Sequence, residues 1–136
     1  MQSLFLKGSK TTPEFNYDIE NFSMSIIGES NIDELNPFYN TITKFLNTVE
    51  TIKPRRLNLD IKLDSICLNS KRGIVFFLMR LKEIQVNCKS ALLINWYYNT
   101  KNKLMRTIGE DLEQMVMLKI NVLSIKSKES PSLEPA

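Results

Sequence analysis

The sequence predicts a single α/β domain, with a mixed sheet of about five or six strands and three helices mainly on one face. Strand and helix patterns alternate through the last two-thirds of the chain, which favours parallel strands joined by right-handed crossovers. The N-terminal third carries only strand patterns and should add antiparallel strands. With 136 residues, 43% hydrophobic and 24% charged, the chain has the composition of one globular domain with its own core.

The N-terminal strands are predicted over residues 3–7, 14–17 and 22–27. A polar turn, residues 18–21, separates the second strand from the third. Within the third, Phe22, Met24 and Ile26 alternate with serines, the period of a strand with one buried face. Gly28 is expected to end this strand.

The first helix has clear boundaries. Asn36 is a favourable N-cap, Pro37 suits the first helical position, and Pro54 stops the helix. Its apolar stripe consists of Phe38, Ile42, Phe45, Leu46, Val49 and Ile52.

A central strand is predicted over residues 57–67. Its odd-numbered positions are apolar as far as Leu63, whereas Asn58, Asp60, Lys62 and Asp64 point to the other face. Such a polar second face indicates an open sheet with helices mainly on one side.

The rest of the chain continues the alternation. We expect a helix from residue 69 or 70 to about 85, a strand over residues 90–98, a third helix, and a last strand over residues 119–125. Val75, Phe76 and Met79 widen the apolar face of the second helix, which predicts that it is the more buried one. The domain should span residues 1–125, and the polar, proline-containing tail over residues 126–136 is expected to be disordered.

The residue inventory argues against an enzyme. The chain has no histidine, so Ser-His and Cys-His nucleophile pairs and His-ligated zinc are excluded. Two cysteines, Cys67 and Cys88, cannot form a Cys-only zinc site, and no glycine-rich phosphate motif is present. We therefore predict no catalytic residues, no metal and no cofactor.

The charge pattern also limits the classes of partner that we expect. The net charge is +3 and the basic residues are dispersed, with the densest group at residues 53–56, so nucleic acid binding is not expected. No apolar run approaches the roughly 18 residues of a membrane span, and the N-terminus lacks a signal-peptide core. Two free thiols then fit a cytoplasmic protein without a membrane partner.

Five groups of residues, taken in order and spacing, resemble the SiaC-type family of bacterial regulatory phosphoproteins over about residues 7–125. These groups are Thr12-Pro13-Glu14 with Asp18, Gly28-Glu29-Ser30, Phe38-Tyr39 with Phe45-Leu46, Asn95-Trp96-Tyr97-Tyr98, and Gly109-Glu110-Asp111.

The resemblance implies a fold similar to STAS domains and anti-sigma factor antagonists, without catalytic activity. It implies a phospho-switch set by a dedicated kinase and a PP2C-type phosphatase. The unmodified protein would bind and stimulate a diguanylate cyclase, and so tune cyclic-di-GMP output and biofilm behaviour. The candidate partner-binding residues are Thr12, Glu14, Glu29, Ser30, Trp96 and Tyr98. For the aromatic residues at 96–98, packing in the core or at its rim is the favoured alternative, since at least one of them should point inward.

The resemblance places a switch loop before the second helix, formed by Cys67, Leu68, Asn69, Ser70 and Lys71. The family pattern there is Asn-Thr-Ser-Ser, with the threonine as phosphoacceptor. Ungapped alignment, which we prefer because residues 57–64 then match better, puts Leu68 at the threonine, and leucine cannot be phosphorylated. A two-residue slip makes Ser70 the acceptor, so Ser70 is the candidate phosphoacceptor; its alternative role is a plain helix N-cap.

Two functional hypotheses follow. In the first, the chain binds and regulates its partner under phosphorylation control. In the second, favoured by Leu68, it is a constitutive STAS-like interaction module that has lost the switch.

Overall fold

The fold is α/β, as predicted, with one six-stranded mixed sheet and three helices. A computed structural model describes residues 3–126. Its elements are β1 (Leu4–Leu6), β2 (Glu14–Asp18), β3 (Ser23–Ser30), α1 (Phe38–Thr51), β4 (Arg56–Ile66), α2 (Leu68–Cys88), β5 (Ala91–Asn99), α3 (Lys103–Val116) and β6 (Asn121–Ile125). The predicted tail, apart from Lys126, lies outside the described residues.

The strands lie in the sheet in sequence order, β1-β2-β3-β4-β5-β6. β1, β2 and β3 pair antiparallel, whereas β3, β4, β5 and β6 pair parallel. Each parallel connection contains one helix, so the predicted division between an antiparallel start and a parallel remainder is confirmed.

The core lies between the helices and one face of the sheet. Side chains alternate along each strand, and those on the helix side are apolar: Leu57, Leu59, Ile61 and Leu63 of β4 are all buried. The polar residues of β4 lie on the opposite face of the sheet, as expected for an open sheet.

Gly28 does not end β3, contrary to our expectation. The strand continues to Ser30, and the pairing with β4 shifts register between Gly28 and Glu29. Gly28 adopts φ +125°, which only glycine tolerates readily, so it provides an irregularity inside the strand rather than its terminus.

The start of α2 also differs from the prediction. The helix begins at Leu68, after Cys67 in the N-cap position, so Ser70 lies in the first turn and is not the N-cap. The second helix is longer than expected, since it runs to Cys88. In α1 the predicted N-cap is also displaced by one residue: the helix begins at Phe38 after Pro37 in the N-cap position, and Asn36, one residue earlier, accepts through its Oδ1 from the Phe38 backbone N–H at 2.9 Å.

Candidate functional site

The candidate site is the switch loop at the carboxyl ends of the parallel strands, where open α/β sheets commonly place ligands and partners. The chain leaves β4 at Ile66 and enters α2 at Leu68 through the single residue Cys67. The Cys67 backbone N–H donates to the Ser30 carbonyl at 2.9 Å. This bond fixes the start of α2 to the end of β3.

Ser70 lies in the interior at this point. Its side chain has no exposed surface, and its Oγ accepts a long hydrogen bond of 3.4 Å from the Ile32 backbone N–H. The Cys67 thiol sulfur lies 3.4 Å from the same oxygen. A kinase can therefore reach the Ser70 hydroxyl only if the first turn of α2 opens.

Leu68 occupies the opposite environment. It is the first residue of α2 and is 63% exposed. The position that ungapped alignment gives to the phosphoacceptor is thus open to solvent but carries no hydroxyl. Of the basic residues that follow, Lys71 is half-buried and Arg72 is exposed.

The Cys67 thiol is a titratable group of the loop that lies at the start of α2. Burial opposes its ionisation, but hydrogen bonds from the Ser70 hydroxyl and from the backbone N–H groups of Ser70 and Asn69 outweigh burial and lower the pKa of Cys67. The sulfur also lies 3.1 Å from the Ile32 carbonyl oxygen. A helix N-terminus stabilises negative charge, so the loop favours an anion at this point.

A hydrogen-bond network joins the end of β3 and the loop after it to the end of β4. The Ser65 hydroxyl donates to the Glu29 carboxylate, and Asn31 Nδ2 donates to Ser65 Oγ at 2.7 Å. Nearby, Asn36 Nδ2 donates to Thr12 Oγ1 at 3.2 Å. Two predicted partner-binding residues, Thr12 and Glu29, therefore help to hold the loops at this edge of the sheet.

Ser30 lies in the core and contacts α1. It is fully buried, and its hydroxyl lies 2.8 Å from the Tyr39 hydroxyl. Burial raises the pKa of Tyr39, although the Ser30 bond acts in the other direction. The Tyr39 ring packs on Gly73 of α2, where a Cβ atom would lie 2.5 Å from the ring. Ser30 thus has no surface for a partner in this conformation.

The remaining predicted partner-binding residues are Trp96 and Tyr98 of β5 and Glu14 of β2. Trp96 is fully buried on the helix side of β5, and its Nε1 donates to the Met105 carbonyl at 2.8 Å. Tyr98 is half-buried against the core. Glu14 lies in β2 opposite Ile27, on the face away from the helices. Trp96 and Glu14 therefore lie on opposite faces of the sheet, and Trp96 has no surface for a partner in this conformation.

An apolar groove that the sequence did not predict lies on the outer side of the helices. We expected Phe76 and Met79 to be buried, but both are exposed. With Val86 of α2 and Met115 at the end of α3, they line a groove of about 770 Å³. The spacing of 76, 79, 83 and 86 marks one helical face, and the exposed polar residue Glu83 within that stripe was the available sign of exposure.

Within residues 3–126, no group of three or more His, Cys, Asp or Glu side chains is placed to hold a metal ion. No helix of this part of the chain is long and apolar enough to cross a membrane.

Comparisons with known proteins agree with this architecture. The structure of apo-SiaC from Pseudomonas aeruginosa matches with a TM-score of 0.76 and 15% identity, over 90% of this chain and 99% of that one. A second structure, SiaC of the same organism, matches with a TM-score of 0.79 and 17% identity, over 92% of this chain and 100% of that one.

A third match is a chain from the crystal structure of the diguanylate cyclase SiaD in complex with its activator SiaC, also from Pseudomonas aeruginosa. Its TM-score is 0.79 at 18% identity, over 90% of this chain and 99% of that one. At these identities the likeness shows a shared fold. No curated protein sequence matches the chain.

The model of the family described as "SiaC family regulatory phosphoprotein" matches residues 6–125, which is nearly the whole of the described structure. This chain therefore belongs to the SiaC family of regulatory phosphoproteins.

Proposed function

We propose that this chain is a non-catalytic bacterial signalling protein of the cytoplasm that binds and activates a diguanylate cyclase. The observation that carries the proposal is the family match over residues 6–125. The likeness to the structure in which SiaC is the activator of SiaD supports this choice of partner.

The surface of the helices favours a protein partner over a substrate. Exposed apolar patches on soluble proteins commonly mark interaction sites. Phe76 and Met79 belong to such a patch, and Leu68 adds a further exposed apolar side chain on the same helix. The chain has no histidine that could act as a general base beside the Cys67 thiol of the switch loop.

The test combines the purified full chain with each diguanylate cyclase of its source organism. Cyclic-di-GMP formation should rise with added chain for one cyclase, and the chain alone should form none. A Met79→Glu variant, which charges the groove, should lose this effect, whereas the exposed Gln114→Glu variant on α3 should keep it. If no cyclase responds, the proposed function is wrong.

Phosphorylation control by a kinase and a PP2C-type phosphatase belongs to the same proposal, with Ser70 as the acceptor. A phosphoryl group at this helix start would add about −1.5 to −2 charges, near Lys71 and Arg72. The buried hydroxyl requires local opening, so phosphorylation should be slow in the free protein. Intact mass of the chain from native cells, with and without phosphatase treatment, should show one removable phosphoryl group on Ser70.

A second candidate is a constitutive interaction module. It is favoured by the exposed Leu68, which has no hydroxyl, and by the burial of Ser70. The two candidates differ in the response to Ser70→Asp: the switch requires that this variant releases the cyclase while Ser70→Ala retains it. Absence of any phosphorylated species in all growth conditions, with unchanged cyclase activation, would select the constitutive module. Circular dichroism of each variant checks that the fold is retained.

A further inference from the structure

The face of the sheet opposite the helices carries a row of polar side chains. In the strand pairing, Asn16, Ser25, Asp60, Asn95 and Asn121 lie side by side on β2 to β6. They come from five separate parts of the chain, and strand register alone aligns them. The row lies across the middle of the sheet, away from the switch loop and from the helix groove.

In one half of this row the side chains are hydrogen-bonded to one another, and each donates to the next in the same direction. Asn121 Nδ2 donates to Asn95 Oδ1 at 3.1 Å, and Asn95 Nδ2 donates to Asp60 Oδ1 at 2.9 Å. The chain of donors therefore ends on the Asp60 carboxylate. Asp60 is only 8% exposed, although no helix covers this face.

The row is interrupted between Asp60 and Asn16. Ser25 lies there, 5% exposed, and its hydroxyl has no hydrogen-bond partner within the described part of the chain. Because a buried hydroxyl without a partner costs about 1–3 kcal/mol, a ligand that hydrogen-bonds to Ser25 would be stabilised at this point. The structure has a cavity at this point, of about 380 Å³, lined by Ser25 and Asp60.

The cavity is lined by a buried negative charge, Asp60, and an exposed positive one, Arg56. Asp60 has no ion-pair partner among residues 3–126, and Arg56, which also lines the cavity, has none either. A buried carboxylate without a cation is unfavourable. A third charged residue, Asp18, lines the cavity while accepting from the Glu20 backbone and Asn21.

We propose that this cavity binds a small zwitterion of the amino-acid type, with its ammonium group at Ser25 and Asp60 and its carboxylate at Arg56. An ammonium group brings three N–H donors, which suit the Ser25 hydroxyl, which has no partner, and the Asp60 carboxylate, which has one donor in Asn95 but no cation. A guanidinium binds a carboxylate through two parallel hydrogen bonds. The cavity volume lies at the small end of the range for ligand sites. The proposal does not depend on the diguanylate cyclase partner.

The first experiment titrates the ¹⁵N-labelled full chain separately with each of the common amino acids at pH 7 and follows amide shifts by NMR. At least one should give saturable shifts at residues 23–25 and 58–60, with a dissociation constant on the order of 1 mM or tighter. Ethylamine and propionate, which carry one charge each, should bind at least about tenfold more weakly. The proposal fails if no amino acid shifts these residues, or if either single-charge probe binds as well.

The variants separate binding from folding. Asp60→Asn and Arg56→Gln should each weaken binding at least about tenfold, whereas Lys62→Gln, on the same face of β4 but outside the cavity, should not. Ser25→Ala should weaken binding yet raise the melting temperature of the free protein, because it removes an unpaired buried hydroxyl. A serine with only a structural role would lower the melting temperature when replaced, and that result, or unchanged affinity in Asp60→Asn, overturns the proposal.

Discussion

At the scale of single residues, the contact between Trp96 and Gly109 shows how closely α3 approaches the sheet. A Cβ atom added to Gly109 would lie 2.5 Å from Cδ1 of the indole ring. The ring is fully buried and is held by the bond from its Nε1 to the Met105 carbonyl. It has no freedom to yield, so glycine is required here by contact and not by backbone conformation.

The Gly109→Ala variant should therefore be less stable than the parent chain. In an exposed helix the same change stabilises by about 1 kcal/mol, but overpacking a core usually costs about 1–3 kcal/mol, and we expect the overpacking to win. Urea unfolding measures the difference. The exposed Gln114→Ala change in the same helix is the control and should stay within about 0.5 kcal/mol. A more stable Gly109→Ala variant would show that α3 moves away from the ring.

Ser70 and Leu68 mark the limit of residue-scale prediction from the sequence. Both lie near a strand-to-helix junction. From residue type alone, either side chain could lie on the surface of a partner-binding loop. The start of α2 at Leu68 turns that side chain outward and places Ser70 under the loop after β3, where Ile32 donates to it. Leu68 and Ser70 are two residues apart, so the residue at which α2 begins determines which of the two side chains is accessible to a kinase or a partner.

At the scale of elements, a polar clamp joins α1 to α2. Arg80 of α2 donates from Nη2 to Glu50 at 2.6 Å and to Asn47 Oδ1 at 2.9 Å, both on α1. Asn87, two turns further along α2, donates to the other Glu50 oxygen at 3.1 Å. Glu50 thus receives donors from two levels of α2, which fixes how the two helices lie side by side.

This clamp predicts a pH dependence. The hydrogen bonds from Arg80 and Asn87 lower the pKa of Glu50, against a smaller effect of burial. Because the pKa is lower in the folded state, the clamp stabilises the fold above the ordinary pKa of glutamate, and this contribution is lost as pH falls through the lowered value. Arg80→Ala should raise the pKa of Glu50 and flatten the loss of melting temperature between roughly pH 5 and pH 3.

Carboxyl ¹³C NMR and thermal melts at several pH values measure both effects. The matched control is Arg106→Ala, which removes an exposed pair with Glu110 at 3.5 Å within α3. This variant should change neither the titration of Glu50 nor the slope of melting temperature against pH. If the midpoint of the Glu50 titration is unchanged in Arg80→Ala, the clamp is not the cause of the lowered Glu50 pKa.

At the scale of the whole molecule, each strand pairs with its neighbours in sequence. β4 has eleven residues and pairs with β3 on one side and β5 on the other. β1 has three residues and lies at an edge. Stability should therefore fall from the middle of the sheet to this edge, because a short edge strand has partners on one side only.

Amide hydrogen exchange should show this gradient. Residues of β4 should exchange at least about a hundredfold more slowly than those of β1, since β4 opens only when the whole domain unfolds. The Gly109→Ala variant is a sharp control: it should speed exchange in β4, which reports global unfolding, and leave β1 unchanged. Equal protection of β1 and β4 would mean that the edge does not open separately.

From the sequence alone, the fold class, the parallel and antiparallel parts of the sheet, the open polar face and the resemblance to the SiaC family could all be predicted. Each of these depends on patterns within about ten residues or on motif order, such as the alternation along β4 and the stripe of α1. Periodicity reports which residues share a face, and this is enough to arrange layers.

Only the tertiary structure decided what covers each face. Burial of Ser70, exposure of Phe76 and the burial of Ser30 and Trp96 depend on neighbours distant in sequence. The same holds for the row that brings Ser25 beside Asp60, residues separated by α1 and two loops. Strand register and the position of neighbouring helices are long-range properties, and the packing of the complete chain determines them.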